Sequence, residues 1–103
     1  MNGLTGEWIW VDDMRPAPEE FSRHCKTYNQ TIEFLNYFMW CEGGIDFISL
    51  DHDLGEEKSG YDIAKYIVEE QIPIGAFAVH SANPVGAKNI RELLTHYGYK
   101  ELI

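Results

Sequence analysis

The chain has 103 residues, 45% apolar, 24% charged and 14% aromatic, with a formal charge of −9. That length suits one compact domain and leaves no room for two, and the aromatic content argues against disorder. Seventeen acidic against eight basic side chains exclude the basic footprint that tracks a nucleic-acid duplex, and leave open a small phosphorylated substrate or an RNA end in a local positive pocket.

Glu7 to Val11 (EWIWV) is a short apolar run of strand formers, as expected of a strand buried on both faces, and it stops at Asp12-Asp13. Arg15-Pro16-Ala17-Pro18 reads as a loop, because each proline removes a donor and restricts its predecessor. Phe21 to Lys26 alternates weakly and reads as an edge strand. Thr27 with Gln30 makes a capping-box pattern ahead of Ile32, Leu35, Phe38 and Met39 at helical spacing, and Gly43-Gly44 supplies the stop. Asp46 to Leu50 (DFISL) is the next strand, ending in Asp51-His52-Asp53-Leu54-Gly55. Ser59 with Asp62 repeats the capping pattern for a helix carrying Ile63, Ala64, Ile67 and Val68 on one face, with Pro73 at its end. Ile74 to Val79 is a small apolar strand that stops at His80-Ser81. Asn83-Pro84 starts a last helix with Ile90, Leu93, Leu94 and Tyr97 as its stripe and Gly98 closing it. Alternating strands and amphipathic helices argue a single α/β domain with a mainly parallel sheet.

Two cysteines, Cys25 and Cys41, are too few and too far apart for a zinc knuckle or a disulfide scaffold. The opening residues lack a basic segment followed by an apolar run, and no stretch approaches bilayer-spanning length. The expectation is a cytoplasmic domain with no membrane partner; its oligomeric state is not legible.

Three strands end in polar clusters: Asp12-Asp13, Asp51-His52-Asp53 and His80-Ser81. Parallel neighbours bring such ends to one rim, where open α/β sheets bind ligands. Carboxylates crowded there raise one another's pKa unless a cation compensates. Mg²⁺ or another hard divalent ion on Asp12, Asp13, Asp51 and Asp53 answers this need, and so do His52, His80 or Arg15. The stretch from Ser81 through Asn83 to Gly86 starts a helix directly after a strand, so free amides and the helix dipole face the rim. Ser81 and Asn83 add donors, Gly86 allows close approach, and Asn83 also caps the helix. His52 and His80 form a base and acid pair for opening a cyclic phosphodiester. His24 and His96 lack polar company in sequence and read as surface residues.

The motifs WVDDMR (Trp10, Asp12, Asp13, Arg15), SLDHDLG and VHSANPVG together resemble the cyclic-phosphate processing receiver-like family. Asp12-Asp13 resembles the metal-binding pair of receiver domains, Asp51 their phosphoacceptor aspartate, Gly60 the glycine opening the next helix, and Ser81-Ala82 their Ser/Thr-Ala step. The resemblance runs from about Glu7 to Leu94. It implies a truncated receiver-like (flavodoxin-like) three-layer fold with four strands and three main helices. It also implies a phosphoesterase acting on a 2′,3′-cyclic phosphate end or a cyclic nucleotide, with Asp51, His52 and His80 catalytic. Ser81, Asn83, Gly86 and Arg15 then bind phosphate, and no organic cofactor is expected. A receiver-type switch with phosphoacceptor Asp51, and a non-catalytic binder of a phosphorylated ligand, are the alternatives. Two departures stand out: the connection between the first two strands is too short for a usual parallel crossover, leaving an antiparallel second strand open, and the receiver's fifth-strand lysine has no counterpart.

Overall fold

Four strands, each too short to be stable alone, are held by ladders to their neighbours in a computed structural model that describes residues 6–102. β1 (Trp8–Val11), β2 (Arg23–Cys25), β3 (Ile45–Leu50) and β4 (Ile74–Val79) lie in the order β2-β1-β3-β4. Every pairing among them is parallel, with Trp10 opposite His24 and Ser49, and Ser49 opposite Ala78. The helices are α1 (Tyr28–Glu42), α2 (Gly60–Glu69) and α3 (Pro84–His96).

Local signals place the helices. The Thr27 hydroxyl accepts the Gln30 amide, and the Gln30 side chain takes the Lys26 amide one residue before the position a reciprocal box would use. α1 stops at Gly43 in the left-handed region. Ser59 and Asp62 form the full capping box at α2. Asn83 caps α3, its side chain accepting the Gly86 amide, with Pro84 in the first turn.

The antiparallel option for the second strand is resolved in favour of a parallel one. β2 is only three residues long, so an extended, proline-bearing connection over residues 12–22 returns the chain without a helix. Phe21 anchors that connection, its ring 5.6 Å from Trp8, 5.2 Å from Trp10 and 5.7 Å from Phe47.

The three-layer expectation needs correction. Right-handed crossovers put connections that step the same way across a sheet on the same face. The steps β2 to β3 and β3 to β4 share a direction. α3 continues it toward Glu101, which makes a parallel bridge to Phe77. All three helices therefore cover one face, where Ile9, Val11, Ile48, Leu50 and Phe77 join Leu35, Phe38, Ile63, Ile67, Ile90 and Leu94 in one buried cluster. The step β1 to β2 runs the other way. Its loop, with no helix, crosses the opposite face, which carries Trp8, Trp10, Phe47 and Ser49. The structure has two layers.

Among the described residues no helix is long and apolar enough to cross a membrane.

Candidate functional site

At the carboxyl ends of the strands, ladder bonds continue one residue past each element. The Asp12 amide donates to the Cys25 carbonyl, Asp51 to Val11 and His80 to Leu50, at 3.0, 2.9 and 3.0 Å. The polar residues that follow each apolar run are thereby fixed at a common rim. A cleft there is lined by Asp12, Asp13, Met14, Arg15, Asp51, Asp53, Gly55 and Ala82.

Asp12, Asp13 and Asp51 each offer a carboxylate oxygen within 4.8 Å of the others. They differ in how they are held. Asp12 is fully buried; its Oδ1 accepts the Met14 and Arg15 amides at 2.8 and 2.9 Å, and Oδ2 faces His80 Nε2 at 3.1 Å and Arg15 Nε at 3.7 Å. Burial pushes its pKa up, but the Arg15 and Met14 amides and His80 outweigh it, and the carboxyl lies below its ordinary value. Among the described residues the side chains of Asp13 and Asp51 make no hydrogen bond, although Asp51 is buried. Two uncommitted carboxylates beside a third form a hard-oxygen donor set that suits a divalent cation such as Mg²⁺. Asp53 lines the same cleft outside this trio. Its Oδ1 accepts His52 Nδ1 at 2.8 Å, and Asn83 Nδ2 lies 3.4 Å from Oδ2. The His52 hydrogen bond lowers its pKa against a small effect of burial.

The two histidines are unlike. His80 is held at both ring nitrogens, Nδ1 2.7 Å from Ser49 Oγ and Nε2 3.1 Å from Asp12 Oδ2, and it lies flat on Trp10. Burial lowers its pKa, against the opposing charge of Asp12. A ring occupied at both nitrogens has no atom left for a substrate proton, and the expected acid and base exchange between His52 and His80 does not fit this geometry. His52 keeps Nε2 without a hydrogen bond among the described residues, while Nδ1 is oriented by Asp53. Neither imidazole lines the cleft.

The expected anion cradle at the start of α3 is partly spent on capping. Ser81 Oγ accepts the Asn83 amide and Asn83 Oδ1 accepts the Gly86 amide. Gly86 does not open toward a ligand: a Cβ there would lie 2.4 Å from His52 Cγ, so the imidazole fills that space. Arg15 is half exposed at the cleft and donates to the His80 carbonyl at 3.0 Å. Among the described residues it is the basic side chain that lines the cleft.

Two residues at the rim escape the sequence reading. Ser49 is a hydroxyl in an otherwise apolar stretch, and a buried polar residue needs a partner. His24, expected on the surface, is half-buried with Nε2 2.8 Å from the Asp12 carbonyl. Parallel register beside Trp10 would have flagged both. Gly60 behaves as its position suggests, with a Cβ there falling 2.0 Å from the Asp51 carbonyl oxygen.

Residues 8–96 match the family described as the cyclic-phosphate processing receiver domain. The chain belongs to that family. No curated protein and no solved structure matches it. In this member of the cyclic-phosphate processing receiver family, the cleft is lined by Asp12 to Arg15 of the WVDDMR segment together with Asp51, Asp53, Gly55 and Ala82.

Proposed function

We propose that this chain binds a cyclic phosphodiester at the acidic rim and opens it by hydrolysis. The observation that carries this reading is the convergence of Asp12, Asp13 and Asp51, two of them uncommitted, beside a half-exposed Arg15 in a chain of this family. Three carboxylates repel a phosphate unless a cation intervenes. Asp12, Asp13 and Asp51 would hold a divalent ion, which would supply charge neutralisation and polarise a phosphoryl oxygen. Arg15 donates to a further phosphate oxygen.

The chain's own proton chemistry falls to His52. His52 does not itself line the cleft, but Asp53, which does, accepts from the His52 Nδ1 and leaves the Nε2 lone pair unbonded. Nε2 takes a proton from water as the water oxygen bonds to phosphorus. The ring P–O bond breaks, and the same proton passes to the leaving sugar oxygen. His80 holds Asp12. The substrate class is a 2′,3′-cyclic phosphate end or a cyclic nucleotide, and the unpaired cysteines suit a reducing cytoplasm.

The test is turnover of a panel of nucleoside 2′,3′-cyclic phosphates and cyclic nucleotides with Mg²⁺ by wild type, His52→Ala and Asp51→Asn. Hydrolysis by wild type and its loss in both variants is expected. Equal turnover by all three rejects the mechanism, and binding with unchanged ligand establishes a non-catalytic binder instead. A second reading rests on the Asp51 carboxylate, which lines the cleft and makes no hydrogen bond among the described residues: acceptance of a phosphoryl group in a signalling switch. Mg²⁺-dependent labelling by a phosphoryl donor, abolished in Asp51→Asn, distinguishes it.

A further inference from the structure

The trio of carboxylates has one member whose orientation is determined before any ligand arrives. Both oxygens of Asp12 are engaged, whereas Asp13 and Asp51 have no hydrogen-bond partner among the described residues. The direction in which Asp12 presents its remaining lone pairs is set by the two amides at Oδ1 and, at Oδ2, by what holds His80. That ring is held from behind by a hydroxyl inside the sheet.

We infer that Ser49 is a positioning residue, orienting His80 through Nδ1 so that its Nε2–H holds Asp12 in place to receive a cation. Three observations support this. Ser49 is buried at 3% exposure one residue before the end of β3, and its hydroxyl has His80 Nδ1, 2.7 Å away, as its hydrogen-bond partner. A carboxylate only accepts, so the His80 nitrogen facing Asp12 carries hydrogen, and in the neutral ring Nδ1 is then the acceptor for the Ser49 O–H. The tautomer follows from the two bonds together. The indole of Trp10, directly across the ladder from Ser49, lies 3.7 Å from the ring at an interplanar angle of 7° and blocks its rotation out of the line. Ser49, His80 and Asp12 thus form a chain of hydrogen bonds from the sheet interior to the rim, each link setting the next. Partners of this kind behind a metal-binding group commonly alter affinity without touching the ion.

The role in cation binding rests on the proposed function; the orientation of Asp12 does not. Nitrogen-15 NMR of the metal-free protein reads the histidine tautomer, and hydrogen exchange of the Met14 and Arg15 amides reads whether Asp12 Oδ1 still holds them. Wild type is expected to show His80 as the Nε2–H tautomer with both amides protected. Ser49→Ala, shown folded by circular dichroism, is expected to keep the Nε2–H tautomer that Asp12 imposes but to give faster exchange at those amides, with Ser49→Thr restoring slow exchange. Titration with Mn²⁺ alone is expected to show a roughly ten-fold weaker affinity in Ser49→Ala. A wild-type His80 in the Nδ1–H tautomer overturns the inference, a result that needs no variant to fold. So does a Ser49→Ala protein with unchanged exchange at Met14 and Arg15, or with unchanged Mn²⁺ affinity. If wild type binds no Mn²⁺, the cation reading falls and the tautomer and exchange measurements alone decide the role of Ser49.

Discussion

The imidazole of His80 stacks on the indole of Trp10, the rings 3.7 Å apart and 7° from parallel. Both belong to the sheet face that no helix covers. Trp10 donates its indole N–H to the Arg15 carbonyl, and Arg15 in turn reaches the His80 carbonyl. An aromatic wall, a partly buried imidazole and the half-exposed cation of the cleft are thereby tied into one unit. It substitutes locally for the missing helical layer and stiffens the loop that carries Asp13 and Arg15.

Acid destabilises this unit. His80 has its pKa lowered by burial, so below the ordinary value of 6.5 the unfolded chain takes up a proton that the native ring resists. That contribution is complete above 6.5 and is lost as pH falls through the native value; Asp12, also lowered, adds loss of the same sign below its ordinary 3.8. Thermal melts of wild type are expected to drop as pH falls from about 7.5 to about 5, with a flatter dependence in His80→Gln. Parallel curves for the two proteins would exclude His80 as the cause.

Asp51 sits among like charges with no hydrogen bond of its own. Asp51→Asn removes one of three neighbouring like charges at the cleft. It is expected to raise stability by about 1 kcal/mol in EDTA, and to abolish any stabilisation of wild type by Mg²⁺. Urea denaturation with and without the ion measures both effects.

Gly60 is required because the loop leaving β3 turns back onto it, its amide donating to the His52 carbonyl at 2.7 Å. Gly60→Ala sets a methyl against the Asp51 carbonyl and is expected to cost about 3 kcal/mol. A urea midpoint equal to that of wild type would contradict this close approach.

The two thiols separate by environment. Cys25 is buried and burial pushes its pKa up to about 11, while Cys41 is exposed. Iodoacetamide at neutral pH is expected to modify Cys41 alone in the native protein and both in denaturant, as peptide mass spectrometry will show.

The helices were legible because their signals are local. Ser59 with Asp62 and Asn83 with Pro84 satisfy amides within a turn of themselves, so no distant residue can overrule them. Asp12, Asp13, Asp51 and Asp53 were legible as a group because all four fall within three residues of the end of an apolar strand, and parallel pairing brings those ends to one edge. The division of labour among the histidines was not. His52 and His80 each follow a strand end within one or two residues, yet one stands against Gly86 with a nitrogen unbonded and the other is closed in by Ser49, Trp10 and Asp12.

From its residues alone this chain specifies short buried strands, capped amphipathic helices and acidic strand ends, since periodicity and capping act over a few positions. Tertiary structure decided the rest: that the second strand runs parallel, that the helices share one face, and that Ser49 stands behind His80. Those outcomes depend on crossover direction and lateral register, which bring together side chains far apart in the chain, and no local pattern encodes them.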